Sequence, residues 1–205
     1  MMISRTLSAL AVSAIAFTVL AGQQAGQKAP AHQPPAQKPP EMSPEEQAEM
    51  QAAMPGPIHE HMKKCVGEFT TKTKMTGDGM PPEETVGTAK ISMSLDGRFL
   101  VTEEDGTMMG MPFKAMKISG YNNGSKQFES VWMYTMSTGM LNMTGSSEDH
   151  GKTINWKGTY KEADGEHTLM VTTTHVDENT FVEKLSHADG AEGGPVLETT
   201  YTRKK

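Results

Sequence analysis

The chain has 205 residues, a formal net charge of −6 and a hydrophobic fraction of 36%, enough for one core-bearing domain. The acidic balance argues against nucleic acid or an anionic membrane surface as partner. The single cysteine, Cys65, rules out a disulfide framework within the chain, so a core must hold the fold.

The chain opens as an address rather than a domain. Arg5 precedes the uncharged run "TLSALAVSAIAFTVLAG", the layout of a secretory signal peptide, here assigned to residues 1–21 with cleavage after Ala21 or, a little later, Ala25. The run is shorter than the ~20 apolar residues that span a bilayer. Gln23 stands where the lipid-bearing cysteine of a lipoprotein signal would be. The expected product is exported, to a bacterial periplasm or beyond it, with no membrane anchor after cleavage. Residues 22–57 follow as a tether: Gly22 to Lys38 is Gln, Ala, Pro and Lys without an aromatic or β-branched residue, and cannot form a core. Within this segment Ser43, Pro44 and Glu46 predict a capped short helix, stopped by "PGP".

Residues 58–205 form the predicted domain. In "PIHEHMKKCVGEF" the residues Ile58, Met62, Cys65 and Val66 share a helical face that ends at Gly67. The period then changes to two, and about ten short alternating runs from "EFTTKTKM" to "PVLETTYTRK" are separated by Gly, Asp or Asn turns. Turns this short join antiparallel neighbours. A meander of this length removes its edges most completely by closing into an up-and-down β-barrel, with a two-sheet sandwich as the competitor. Alternation assigns Ala89, Ile91, Met93 and Leu95 to an inner face. It likewise groups Phe128, Trp132, Tyr134 and Met136, and places Ile154, Trp156 and Tyr160 on one face of another strand. Phe128, Trp132, Tyr134, Trp156 and Tyr160 are the expected wall of a ligand cavity, since binding pockets are mostly apolar with a few polar groups.

The runs "CVGEF", "LDGRFL", "GMPFKAMKISGYN", "FESVWMYTMSTGM" and the ending "ETTYTRK" together resemble the DUF1579 proteins, a family of unknown function. More distantly, the stretch from Cys65 to Arg203 resembles calycin barrels such as lipocalins and nitrobindin-like proteins. The resemblance implies a barrel with a short helix closing one end, and supplies no activity. In lipocalins a Gly-x-Trp motif on the first strand packs against an arginine of the last. Gly67-Glu68-Phe69 and Arg203 match those places, with Phe for Trp, and imply a cation–π contact of roughly 0.5–1 kcal/mol. Two departures stand out. Tyr134 occupies a position that is acidic or amide in many relatives, and the haem-holding histidine of nitrobindin-like proteins has no counterpart, His187 falling in a Gly- and Asp-rich turn.

Of the 18 methionines, Met108, Met109 and Met111 share one loop. Thioethers suit Cu(I). Most of the methionines, however, alternate within strands, where Met serves as an irregular core filler, and the loop reads as a hairpin end at the rim. His61 and Cys65 are four apart and with His59 raise a metal site, yet structural zinc generally takes four ligands and Cys65 also belongs to the apolar stripe. No metal and no cofactor is assigned. His167 and His175 share parity with Leu169 and Val171 and read as hydrogen-bonded or rim histidines, while Glu103, Glu104 and Asp105 read as a solvated hairpin end. No hydrolase elbow, zinc-protease, phosphate-loop or nucleotide motif is present. The leading expectation is therefore a non-enzymatic barrel that binds a small hydrophobic or amphipathic molecule. The alternatives are a filled barrel acting as a structural or interaction module, a Met-rich copper protein, and a hydrolase or isomerase using cavity carboxylates or histidines.

Overall fold

The computed structural model describes residues 42–77, 80–162, 165–188 and 196–205. The segment expected to be signal peptide, and most of that expected to be tether, lie outside the described residues, as does the Gly- and Asp-rich stretch 189–195. Helix α1, Pro44–Ala53, carries the predicted capping box: the Glu46 amide donates to Ser43 Oγ at 3.2 Å, and the Ser43 amide donates to Glu46 Oε2 at 2.7 Å. None of its residues is buried. The chain just after it is pinned, because the Asn123 side-chain amide donates to the carbonyls of Ala52 and Met54 at 3.1 and 2.8 Å.

Helix α2, Pro57–Lys63, is short. The Gly56 amide at its start donates to His59 Nδ1 at 3.0 Å, so His59 serves the helix end. Met62 is buried in the core beside Phe128, and α2 thereby covers one end of the sheet cylinder. Cys65 and Val66 do not continue the helix. Their amides bond to the carbonyls of Met62 and Lys63 in a tightened turn, because Arg203 draws the carbonyls of Lys64 and Val66 toward itself at 2.7 and 2.6 Å. Cys65 is half-buried and Val66 exposed, which corrects the four-residue helical stripe.

Ten antiparallel strands follow: β1 Gly67–Gly77, β2 Met80–Ser94, β3 Phe99–Met108, β4 Met111–Asn122, β5 Gln127–Tyr134, β6 Leu141–Ser146, β7 Thr153–Glu162, β8 Gly165–His175, β9 Thr180–His187 and β10 Val196–Arg203. Each pairs with its sequence neighbours, and β1 pairs with β10 from Phe69 opposite Arg203 to Thr76 opposite Val196, so the up-and-down barrel is closed. Closure leaves no free edge. Met108 pairs with Met111 across a two-residue turn in which Met109 and Gly110 both have positive φ, 51° and 72°, the pattern of a type I′ hairpin. Met109 and Met111 are exposed at that rim.

The inner faces follow the alternation with three corrections. Ala89 and Ile91 are buried, but Leu95 lies beyond β2 in the Ser94–Arg98 turn with φ 47° and is 67% exposed. Met136 lies beyond β5, which ends at Tyr134, and is exposed as well. His187 is the last residue of β9 rather than part of a turn, 3.2 Å from the Tyr160 hydroxyl through Nδ1.

Candidate functional site

Alternation carries charged and polar side chains inward as well as apolar ones. Lys117 shares a face of β4 with Phe113 and Ala115, Glu183 shares one of β9 with Phe181 and Leu185, and Glu104 and Tyr201 point inward from β3 and β10. β4 and β9 stand on opposite sides of the ring, so the 2.5 Å bond from Lys117 Nζ to Glu183 Oε1 spans the interior as a strut. Glu183 Oε1 also accepts from Thr173 Oγ1 at 3.1 Å, and that hydroxyl accepts from Trp156 Nε1 at 3.0 Å. The Tyr201 hydroxyl is 2.7 Å from Glu104 Oε1 and 3.3 Å from Glu183 Oε2.

The directions of titration fit this geometry. Burial raises the Glu183 carboxyl, but the Lys117 ammonium and the bonds from Lys117, Thr173 and Tyr201 outweigh it and hold the pKa below the ordinary value. Burial pulls Lys117 down, and Glu183 and Glu104 bring it above its ordinary value. Glu104 lacks a partner of that strength, and burial pushes its carboxyl up. The single Tyr201 proton cannot serve two carboxylates at once. The hydroxyl lies closer to Glu104, at 2.7 Å against 3.3 Å to Glu183, so Glu104 is the carboxyl it serves first. A carboxyl raised in the folded state stabilises most below its unfolded pKa, and that contribution is lost as pH rises through the folded value. Glu104→Gln, always neutral, should therefore gain on the parent as pH rises above the ordinary carboxylate value of about 4, by at most about 1.4 kcal/mol per pH unit. Urea unfolding at several pH values measures this, and a gap that stays constant with pH contradicts it.

The polar layer divides the interior into two cavities. One, of about 60 Å³, lies toward the β3–β4 hairpin and includes Phe113, Trp132, Met143 and Leu197 in its wall. The other, of about 70 Å³, lies under α2 and includes Met62, Ile91, Phe128 and Ile154. Lys117, Trp156, Glu183 and Tyr201 line both. Lys117 and Glu183 each keep 17% of their side-chain surface accessible although they lie deep within the barrel; that surface faces the cavities. An ammonium has three donors. One of those on Lys117 goes to Glu183, and the other two have no protein acceptor among the described residues.

The aromatic residues expected at the wall fall at different depths. Phe128 and Trp156 meet edge to face, ring centroids 5.9 Å apart, in the core around the α2-side cavity. Trp132 lines the other cavity and packs at 4.9 Å against Tyr134, which continues toward Phe113 near the hairpin rim. Tyr160 packs at the edge of the core and meets the rings of His167 and His187. Neither Tyr134 nor Tyr160 borders either interior cavity.

The polar layer itself is not among those expectations. Glu104, read with its neighbours as solvated, is the inward member of "TEED", while Glu103 and Asp105 are exposed on the opposite face. An inward parity for Lys117 and Glu183 was the available signal, but it becomes an ion pair only once β4 and β9 face each other.

At the α2 end the odd-numbered face of β8 is inward and carries His175 into the barrel. His175 Nε2 lies 3.9 Å from Cys65 Sγ, and its ring meets His61 edge-on at 5.7 Å. Burial pushes the Cys65 thiol up to about 11, leaving a poor nucleophile. Burial and the neighbouring His61 hold His175 below the usual imidazole value. Among the described residues no group of three or more His, Cys, Asp or Glu is arranged to hold a metal ion. On β10 the Arg203 guanidinium lies 4.8 Å from the centroid of the Phe69 ring, the contact between first and last strands that the lipocalin resemblance implies.

A family model described as a protein of unknown function, DUF1579, matches residues 54–203, the helix α2 and the whole barrel. The chain belongs to the DUF1579 family. No curated protein matches it. Among solved structures, the DUF1579 barrel is similar to an S-type phycobiliprotein lyase, CPES, from Guillardia theta, at 9% identity and a TM-score of 0.52, with 77% of this chain and 97% of that one covered. It is also similar to Rv2717c from M. tuberculosis, at 14% identity and a TM-score of 0.53, with 73% and 99% covered. At these identities the likeness is one of fold alone, that of a β-barrel.

Proposed function

We propose that this DUF1579 protein is an exported, non-catalytic carrier or sensor that holds a small, partly apolar molecule inside the barrel against the Lys117–Glu183 layer. The observation that carries the reading is the pair of cavities meeting at Lys117, whose two spare N–H donors face space walled by Trp132, Trp156, Phe113 and Phe128. A ligand with a hydrogen-bond acceptor answers those donors, and a neutral acceptor fits best because the Lys117–Glu183 pair is already balanced. The high thiol value at Cys65 offers no ready nucleophile, which favours binding over covalent catalysis. Export rests on the leader sequence and the absence of a lipoprotein cysteine at Gln23.

Each cavity is smaller than the roughly 150 Å³ of an apolar cavity able to take benzene. The ligand is accordingly a few non-hydrogen atoms in size, or inserts only a part of itself. Native mass spectrometry of protein purified from the periplasm should find a non-covalent adduct that is released unchanged on unfolding, and Lys117→Met should lose it. The same small volumes favour a second reading, a barrel filled for stability that works through its outer surface. That reading is the one left standing if the protein flies only at its bare mass and no extracted compound rebinds.

A further inference from the structure

His61, Cys65, His175 and Phe181 line the cavity under α2 and also line a groove of about 610 Å³ on the outside of the same end. They are therefore the partition between the interior and solvent there. Two of the four are imidazoles meeting edge-on, and the thiol sits 3.9 Å from one of them, a weak contact compared with the charged bonds deeper in the barrel. His61 and Cys65 ride on α2 and the turn after it, so a small displacement of that segment parts them from His175 on β8.

The groove differs from the cavity in chemistry. It carries Lys64 and Lys152, neither of which has an ion-pair partner among the described residues, together with Arg203 and the acids Asp177 and Glu178. Arg203 is occupied by the carbonyls of Lys64 and Val66, which leaves the two lysines as free cations. The groove volume falls in the range of ligand sites, roughly 300–1,000 Å³, while the cavity behind it admits only a tip.

From this arrangement we infer that the α2 end is the mouth of the barrel, and that the ligand is an elongated amphiphile whose uncharged, mostly apolar tip passes between Cys65 and His175, bringing a neutral acceptor toward Lys117, while its acidic head stays in the groove at Lys64 and Lys152. The inference rests on the interior-binding reading and adds the route and the ligand class. The β3–β4 hairpin rim, with its methionines, is then not the way in.

Two tryptophans make the test direct, because Trp156 borders both cavities and Trp132 only the one toward the hairpin. In Trp132→Phe protein, a medium-chain alkanoate brominated at the tip of its chain should quench Trp156, whereas the same acid brominated beside the carboxylate should not. Adding Cys65→Phe, which fills the gap, should remove most of that quenching and most of the quenching by acrylamide. Cys65→Ala, which widens the gap without the thiol, should increase both. The tip-brominated trimethylammonium analogue should quench less than the acid. Quenching of Trp156 that ignores both Cys65 substitutions, or a tip-brominated acid that quenches only Trp132 in Trp156→Phe protein, overturns the proposal. If Cys65→Phe fails to fold, an unchanged response in Cys65→Ala does the same. A natural ligand recovered from the barrel while the bromo acid stays out overturns the route and leaves interior binding standing.

Discussion

Lys117→Met alone should destabilise the barrel by about 3–5 kcal/mol, because it strands a buried carboxylate. Glu183 would keep its bonds from Thr173 and Tyr201, but these do not replace the ammonium 2.5 Å away. With the ammonium gone, burial would push that carboxyl up. The sign of the pH dependence follows. In the parent the depressed Glu183 contributes stability above its unfolded pKa that is lost as pH falls through the folded value. In Lys117→Met that dependence should reverse, with the variant least stable at high pH. The companion change Glu183→Leu should recover most of the loss when combined with Lys117→Met, since a buried ion pair replaced by apolar groups of similar volume is often neutral or stabilising. Thermal or urea unfolding of the two single variants and the double closes the cycle. Additive losses would mean that the strut is not an energetic unit.

If the double variant is as stable as the parent, the strut is not there for stability, and its retention across the middle of the barrel is better explained by what faces it in the cavities. This separates the two readings of the interior. A filled structural barrel has no use for an ammonium with two free donors beside tryptophan rings, whereas a binding site does. The recovered double variant is accordingly expected to be folded and empty.

The strands were legible in the sequence because a closed barrel with short hairpins lets period-two alternation act on every residue, and Ala89, Ile91, Phe128, Ile154 and Trp156 all obey it. It failed where the chain leaves the sheet. Leu95 continues the apolar parity of β2, but its positive φ already belongs to the turn. The polar layer was hidden for a different reason. Lys117 and Glu183 are 66 residues apart, and a charge at an inward position looks like a register error until its partner is known. The α2-end cluster is intermediate: the parity of His175 was readable, but the distance from Cys65 to His175 depends on where α2 docks, which no local pattern encodes. Export, the leader and the part of the tether before residue 42 concern residues outside the described structure and rest on composition.

Arg203→Lys should cost about 2–4 kcal/mol, since charge-assisted bonds contribute ~1.5–3 kcal/mol each and a cation over a ring adds ~0.5–1, while an ammonium cannot fork to two carbonyls as a guanidinium does. The two carbonyls belong to Lys64 and Val66 and the ring to Phe69, so this one side chain ties the end of β10 to the turn that carries α2 into β1. Gly67 is what lets it lie there. A Cβ at that position would stand 2.2 Å from Arg203 Nη1, on a backbone with φ 155° that side chains rarely adopt. Gly67→Ala should therefore expel the guanidinium and cost at least as much as Arg203→Lys. Once it is present, Arg203→Lys should add little, a coupling that a double-mutant cycle reads directly. The loss should also be local. Amide hydrogen exchange in α2 should speed up in either variant more than exchange in the β5–β8 wall, because α2 is held by Met62 and by this turn whereas those strands are held by their ladders. Uniform acceleration over the whole barrel would instead show that Arg203 supports the closure of β1 on β10 and not the seating of the helix.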